Sequence, residues 1–430
     1  GHSAGRDITT GTNNALIGGL AGDAMTIANN NVAMGYSALG AETEGDRNVA
    51  IGNYALAAQN NSDSDTYNTA VGWVAGQTVT TGVRNTLIGS NAGETLTTGS
   101  WNVAVGYQAL SIEDANGSST AIGYRTLQNQ NAGIESYNVA VGFDAGRLIS
   151  TGAKNTLVGG LAGDALTTSD YNVAIGYEAL STEDTHGKNV AVGYQALENQ
   201  NAGSDAYNTT VGYNTGTLIT TGLYNILIGG LAGDALTTGS QNVAIGHEAL
   251  TTEDAHGTNT AVGYRAAKSL NAGANAYTVA VGFDAGQSLT TGTQNTLIGA
   301  NAGDALTVGQ RNVAIGYLAL SSEDGNSYNT AVGTYALNQL NAGADGYNTA
   351  IGYNAGEAMT TGINNVIIGG LAGDAITTGT DNIAIGKDAL SAKTIGEADV
   401  AIGHQALQDA DGGDAYNVAV GWRAGRNVTT

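Results

Sequence analysis

The sequence predicts an all-β fold, a parallel β-solenoid (β-roll) of about 25 coils of 17–20 residues each. A nine-residue pattern, seen at 172–180, recurs along the whole chain, and its glycine returns every 17 residues in most steps. Within it, Val173, Ala174, Ile175 and Gly176 alternate with the period of two that is typical of a strand. A 17-residue unit is too short for two helices with their turns, so short strands and turns remain.

Four types of coil alternate and form a super-repeat of about 70 residues. In one block the motif glycines are Gly142, Gly159, Gly176 and Gly193, and the longer step to the next block ends at Gly212. We therefore expect residues 1–430 to form one continuous solenoid segment, the interior of a longer fibre protein. At about 4.8 Å per coil, it would be roughly 115 Å long.

Three positions of the repeat vary little and predict a regular ladder. The residue before the glycine is Ile or Val in 23 of 24 coils, so we expect a continuous buried row there. Four residues before the glycine, 21 of 24 coils have Asn, which suits turn and ladder hydrogen bonds. Ala stands three residues after it in 23 of 25 coils, so that site excludes bulk. In one block the ladder comprises Asn138, Asn155, Asn172, Asn189, Ile175, Gly176 and Ala179.

The strand face that fills the coil decides the oligomeric state. If Ala and Gly face inward, the row of Val and Ile needs cover from partner chains, and a parallel homotrimer about the coil axis is the simplest solution. If Val and Ile fill the coil, a monomer suffices. We favour the trimer.

Composition excludes several classes of function. Lys and Arg total 14 against 37 Asp and Glu, and the net charge of −23 disfavours nucleic acid or an anionic membrane as partner. No apolar run reaches the roughly 18 residues of a membrane helix, so we expect no membrane contact in this segment. The chain has no Cys, which excludes disulfides and thiolate metal sites.

The core pattern at Asn172–Ala179 resembles the head repeats of trimeric autotransporter adhesins. The variants at Asn189–Leu197 and Asn259–Arg265 resemble repeats of phage tail fibres and of tail-fibre-like bacterial surface proteins. The resemblance covers essentially the whole chain, although the coils here are longer than those of adhesin heads. It implies left-handed parallel β-rolls in trimers and a stiff extracellular fibre for attachment or display.

Motifs for catalysis and metal binding are weak. Gly1–Gly5 matches the pattern G-x-S-x-G, but a nucleophile there needs a strand-to-helix turn that a solenoid lacks. The five histidines show no ligand spacing and are expected to be surface turn residues. We therefore predict no enzyme, no catalytic residue, no cofactor and no metal.

Acidic residues recur in register and raise the question of Ca²⁺. One set comprises the pairs Glu113-Asp114, Glu183-Asp184, Glu253-Asp254 and Glu323-Asp324; a second set comprises Asp23, Glu94, Asp164, Asp234, Asp304 and Asp374. Carboxylates suit Ca²⁺, but the pattern is out of step with the calcium-binding nonapeptide. We expect a solvated acidic surface instead.

Aromatic residues follow the motif glycine of the first coil in each block, at Trp73, Phe143, Tyr213, Phe283, Tyr353 and Trp422. A Tyr also stands five residues before each of these glycines, for example Tyr67 and Tyr137. We expect these rings to cover the extended turn of each block and bury it. The alternative is a platform that contacts glycans or a partner.

The expected function is a structural extracellular fibre shaft, in a phage tail fibre or a bacterial surface filament, that positions a terminal binding module. An alternative is an adhesin module whose aromatic and acidic rows contact glycans. A weaker alternative is an ice-binding solenoid, because Thr-Thr-Gly turns such as Thr220–Gly222 recur in two of the four coil types.

Overall fold

The computed structural model describes residues 1–62, 65–115, 117–133, 135–410 and 416–428. It divides into two compact units, Gly1–Tyr213 and Asn214–Thr430. The described residues form short parallel strands joined by turns, and none of them is helical. The prediction of an all-β parallel solenoid is confirmed, with 24 strands in place of the 25 coils expected.

The first unit holds twelve strands of three residues, each paired in parallel with the next. They are β1 Ala15–Ile17, β2 Val32–Met34, β3 Val49–Ile51, β4 Thr69–Val71, β5 Thr86–Ile88, β6 Val103–Val105, β7 Thr120–Ile122, β8 Val139–Val141, β9 Thr156–Val158, β10 Val173–Ile175, β11 Val190–Val192 and β12 Thr209–Val211.

The second unit repeats this arrangement with twelve more strands in the same parallel pairing. They are β13 Ile226–Ile228, β14 Val243–Ile245, β15 Thr260–Val262, β16 Val279–Val281, β17 Thr296–Ile298, β18 Val313–Ile315, β19 Thr330–Val332, β20 Thr349–Ile351, β21 Val366–Ile368, β22 Ile383–Ile385, β23 Val400–Ile402 and β24 Val418–Val420.

The core of each coil combines small alanine side chains with Asn and Leu. The middle residue of the strand points inward, as Ala174 does, and is fully buried, as is Ala179 after the motif glycine. The flanking Ile175 points outward and is 38 % exposed. The row of Ile and Val that we expected to be buried therefore lies on the outside of the single chain, because successive strand residues face opposite sides.

The motif glycine sets the spacing between coils. Gly176 has φ of 141°, in the region that L side chains rarely adopt. A Cβ built on it would lie 2.1 Å from the carbonyl oxygen of Gly193 in the next coil. The same contact recurs at Gly159, whose Cβ would lie 2.3 Å from the oxygen of Gly176. Only glycine allows the coils to approach this closely.

Candidate binding surface

The exposed side of the strands forms an apolar surface, which we call the outer sheet face. It comprises the first and third residues of each strand and the residue after the motif glycine. In β10 these are Val173 and Ile175, followed by Tyr177, and both Ile175 and Tyr177 are exposed. Parallel pairing repeats the arrangement from strand to strand within each unit, so the face is continuous there. Contiguous apolar surface of this kind is typical of a protein interface.

Aromatic rings on this face stack in runs of three. Tyr107 and Tyr124 lie 5.4 Å apart between ring centroids, and Tyr124 and Phe143 lie 5.2 Å apart with planes 6° from parallel. The same run occurs at Tyr177, Tyr194 and Tyr213 and at His247, Tyr264 and Phe283. Each run follows three consecutive coils, because neighbouring coils bring equivalent residues together.

Only the last ring of each run was predicted from the sequence as a candidate contact residue. The members in the third and fourth coil types were missed, although the residue after every motif glycine, read in order, would have found them. The six aromatic residues that the sequence singled out are 52–68 % exposed. They do not bury the extended turn of the block, because they point away from the coil on the outer sheet face.

Stacking limits what the rings offer to a ligand. At these centroid distances and angles the rings are offset-stacked, so the middle ring of each run shares both faces with its neighbours. The end ring Phe143 differs, because the next coil has Gly160 at this position and supplies no side chain to cover it. Ring edges therefore dominate the surface, with free ring faces at the ends of runs.

A second row of rings is accompanied by cationic side chains. Tyr67 lies between the guanidinium groups of Arg47 and Arg84, at 5.3 and 5.9 Å from its ring centroid. Lys154 contacts Tyr171 in the same way, and Lys188 contacts Tyr207. These cation–π contacts join adjacent coils. These Lys and Arg residues therefore stabilise the stacking of adjacent coils.

The asparagine row forms hydrogen bonds from coil to coil. The Asn138 Oδ1 accepts the backbone N–H of Asn155 at 2.8 Å, and the pattern continues from Asn155 to Asn172 and from Asn172 to Asn189. The Asn138 Nδ2 donates to the carbonyl of Gly152. All four side chains are fully buried, so these bonds satisfy groups that water cannot reach.

The expected solvated acidic surface is wrong for the glutamates. Glu42, Glu113, Glu183, Glu253 and Glu323 are fully buried inside the coil, at the position where other coil types have Met25, Val79 or Leu96. The accompanying aspartates remain at the surface. Four of these glutamates, Glu42, Glu183, Glu253 and Glu323, each cap a turn, as where Glu42 Oε1 accepts the N–H of Gly45 at 2.7 Å. Burial raises the pKa of Glu183, Glu253 and Glu323.

The second acidic set is half-buried at the turn that follows each second-type strand. Burial is the main cause that raises the pKa of Asp164, Asp234 and Asp304, and it raises that of Asp374 to about 6. The nearby carboxylates of Asp388 and Glu357 add to the shift at Asp374. These groups take up protons more readily in the folded chain than in the unfolded one.

The threonines of the Thr-Thr-Gly turns use their hydroxyls within the protein. Thr237 Oγ1 donates to the carbonyl of Asp254 in the next coil at 2.7 Å, and Thr80 Oγ1 donates to the carbonyl of Thr97. A hydroxyl that is bonded internally is less available to order water. The geometry therefore does not favour the ice-binding alternative.

The fold and its surface define a tandem-repeat β-solenoid protein with an apolar outer sheet face. No helix among the described residues is long and apolar enough to cross a bilayer. Neither a protein-family model nor a curated protein sequence matches this chain. The resemblance to tail fibres and adhesin heads therefore remains a prediction from the repeat motifs alone.

Proposed function

We propose that the chain is a structural, non-enzymatic fibre shaft, of the kind found in phage tail fibres or bacterial surface filaments, which holds a terminal binding module away from its anchor. The supporting observation is the uniform ladder of each unit. Successive strands pair in parallel and in register, and the Asn and Gly rows repeat in successive coils. Such nearest-neighbour stacking gives stiffness along one axis.

This function places the protein outside the cell, on a virion or a cell surface. In this proposal a cell-surface receptor or glycan is bound by other domains and not by the shaft. The shaft itself contacts neither nucleic acid nor membrane in this proposal. Its strongly acidic composition, with a net charge of −23, keeps neighbouring fibres apart in solution.

The partner of the shaft is a second and third copy of the same chain, in a parallel homotrimer. The inner core of Ala, Asn and Leu is complete in the single chain, whereas the outer sheet face leaves Ile175 and its equivalents exposed. A parallel assembly about one axis places equivalent strands of three chains together and removes this apolar row from water.

Native mass spectrometry and cross-linking test the trimer. The chain has a mass of 43.0 kDa, and we expect a species of three times that mass. Because the chain has no Cys, Ile175→Cys provides a single thiol, and like residues meet in a parallel assembly. Oxidation should link chains of Ile175→Cys but not of the control Thr185→Cys, which lies on an exposed turn. A 43.0 kDa species alone would refute the trimer.

Deletion of one block tests the shaft. Removing residues 72–141 joins Val71 to Gly142 and takes out one full super-repeat in register. We expect a folded fibre that is shorter by about 19 Å in electron micrographs, because the deletion removes four coils that each add about 4.8 Å of length. The control deletion of residues 72–131 breaks the register and should aggregate. A block deletion that leaves fibre length unchanged argues against a shaft.

The exposed rings support a second candidate, an adhesin module that binds glycans through its aromatic row. The end rings of the runs carry this possibility, since their faces are the least covered. Binding on a glycan array that is lost in Tyr213→Ala with Phe283→Ala would favour it. The control Tyr124→Ala removes a middle ring, whose two faces are shared with its neighbours, and should leave such binding unchanged.

A further inference from the structure

We propose that the turn of Glu253, Asp254 and His256 binds one divalent transition-metal ion of the Zn²⁺ class. The three side chains come from one short turn after β14, and they lie at positions i, i+1 and i+3. The site is independent of the shaft function proposed above, because it needs neither a partner chain nor the outer sheet face.

The ligand atoms of the turn converge. One carboxylate oxygen of Glu253, one of Asp254 and a ring nitrogen of His256 all lie within 4.8 Å of one another. His256 Nδ1 is 3.5 Å from Glu253 Oε1. Glu253 is fully buried, the His256 side chain is 28 % exposed, and Asp254 is exposed. The site therefore has a closed inner side and an outer side through which an ion enters.

Two buried polar atoms at this turn have no hydrogen-bond partner. Glu253 Oε1 accepts the backbone N–H of His256 at 3.1 Å, but Oε2 has none, and neither does His256 Nδ1. Leaving such atoms unpaired in the interior is costly. A cation between them would satisfy both, since a carboxylate oxygen and a neutral imidazole nitrogen are metal ligands.

Two other blocks satisfy the equivalent carboxylate with a side chain of the next coil. Gln59 Nε2 donates to Glu42 Oε2 at 2.8 Å, and Gln130 Nε2 donates to Glu113 Oε2 at 2.8 Å. At Glu253 the next coil presents Leu270 instead, which is apolar and buried. The turn of Glu253 thus has a histidine and lacks a glutamine donor in the next coil.

Two related turns provide internal comparisons. Glu183, Asp184 and His186 repeat the ligand types, and Glu183 Oε2 also lacks a partner although the next coil has Gln200, but His186 Nδ1 lies 2.9 Å from the Thr185 hydroxyl. The turn at Glu323 lacks a histidine and has Asn326 in its place. Among the described residues, only the turn at Glu253 leaves both a buried glutamate oxygen and the Nδ1 of its histidine without a partner, so we assign one ion to this turn.

The donor set selects the class of metal. One imidazole nitrogen with two carboxylates suits Zn²⁺, Co²⁺ or Ni²⁺, with water completing the coordination, whereas Ca²⁺ prefers oxygen ligands alone. His256 binds as neutral imidazole through Nδ1.

Titration of the tag-free, chelator-treated full chain with Zn²⁺ and Co²⁺ tests the site. The informative variant is His256→Ala, because this partly exposed side chain can be removed without emptying the core. We expect it to bind one ion fewer than the wild type by calorimetry and to lose the Co²⁺ absorption band. Circular dichroism checks that the fold is retained.

Leu270→Gln tests whether the missing donor explains the metal site. The variant supplies the glutamine side chain that donates to Glu42 and Glu113 in two other blocks. We expect at least a tenfold weaker Zn²⁺ affinity. His186→Ala is the matched control and should bind as many ions as the wild type. The proposal is overturned if the wild type binds no Zn²⁺, if His256→Ala binds as many ions as the wild type, or if His186→Ala loses the same ion.

Discussion

Arg125 binds Asp144 of the next coil through two parallel hydrogen bonds, from Nε to Oδ1 at 2.9 Å and from Nη2 to Oδ2 at 2.5 Å. The same pair recurs two blocks later as Arg265 and Asp284, at 2.8 and 2.6 Å. Both aspartates are only 4 % exposed. Bidentate pairing of this kind fixes one coil upon the next and neutralises a carboxylate that water barely reaches.

Removing only the arginine should destabilise the stack. In Arg125→Gln the Asp144 carboxylate keeps its charge and only the longer ion pair with Arg147, whose Nε lies 3.7 Å from Oδ2, and we expect a loss of about 1–2 kcal/mol, since Arg125 is partly exposed. The double variant with Asp144→Asn should recover most of this loss, because the block with Asn354 has Tyr335 in place of the arginine. Denaturation midpoints measure both. Equal losses in the single and double variants would contradict the coupling.

The adjacent residues Gly159 and Gly160 should respond differently to alanine. Gly159 has φ of 140° and its Cβ would lie 2.3 Å from a backbone oxygen, so Gly159→Ala should cost about 3 kcal/mol or more. At Gly160 the nearest atom is Tyr177 Cδ2 at 3.4 Å, and another block has Ala300 there. We expect Gly160→Ala to change stability by about 0.5 kcal/mol or less. Thermal unfolding compares the two, and similar melting temperatures would argue against the glycine contact.

The asparagine ladder should tolerate serine better than alanine. Asn172→Ala leaves the backbone N–H of Asn189 without its acceptor in the buried interior, and we expect a loss of about 1–3 kcal/mol. Ser119 occupies the same position in another coil, and a serine hydroxyl keeps an oxygen that accepts hydrogen bonds, so Asn172→Ser should lose less. Amide hydrogen exchange at Asn189 reports the effect directly. Unchanged protection in Asn172→Ala would show that this bond contributes little.

Stability should increase on mild acidification. The pKa of Asp374 is about 6 in the folded chain against an ordinary value of 3.8, so the folded state binds the proton more tightly. Stability from this group is therefore highest below pH 3.8 and falls as pH rises to about 6. Asp374→Asn should raise the melting temperature at pH 7 and reduce its change between pH 7 and pH 5. A variant with the same pH dependence as the wild type would exclude this group as a cause.

The buried glutamates were the main feature that sequence reasoning missed. Glu-Asp pairs look like a solvated turn when each is considered alone. Aligning the coils of one block places Glu113 at the position that Leu96 and Val79 occupy in the interior of their coils. This equivalence indicates that the glutamate is buried. A glutamate at this interior position needs a hydrogen-bond donor from the next coil, as Gln130 donates to Glu113. This pairing depends on how two coils stack and is not visible in one coil alone.

The sequence by itself determined the class of fold and the coil register, because the glycine period and the two-residue alternation of a short strand permit few other structures. It left open which face of the strand lies inside. Only the tertiary structure decided that Ala174 is buried while Ile175 and Tyr177 stay outside, because the turns fold the chain onto the Ala174 face of the strand, where Asn172 and Leu180 are also fully buried. The same packing decided that the buried Glu253 lies next to Leu270 and not next to a glutamine donor, because the neighbour of a buried side chain comes from another coil.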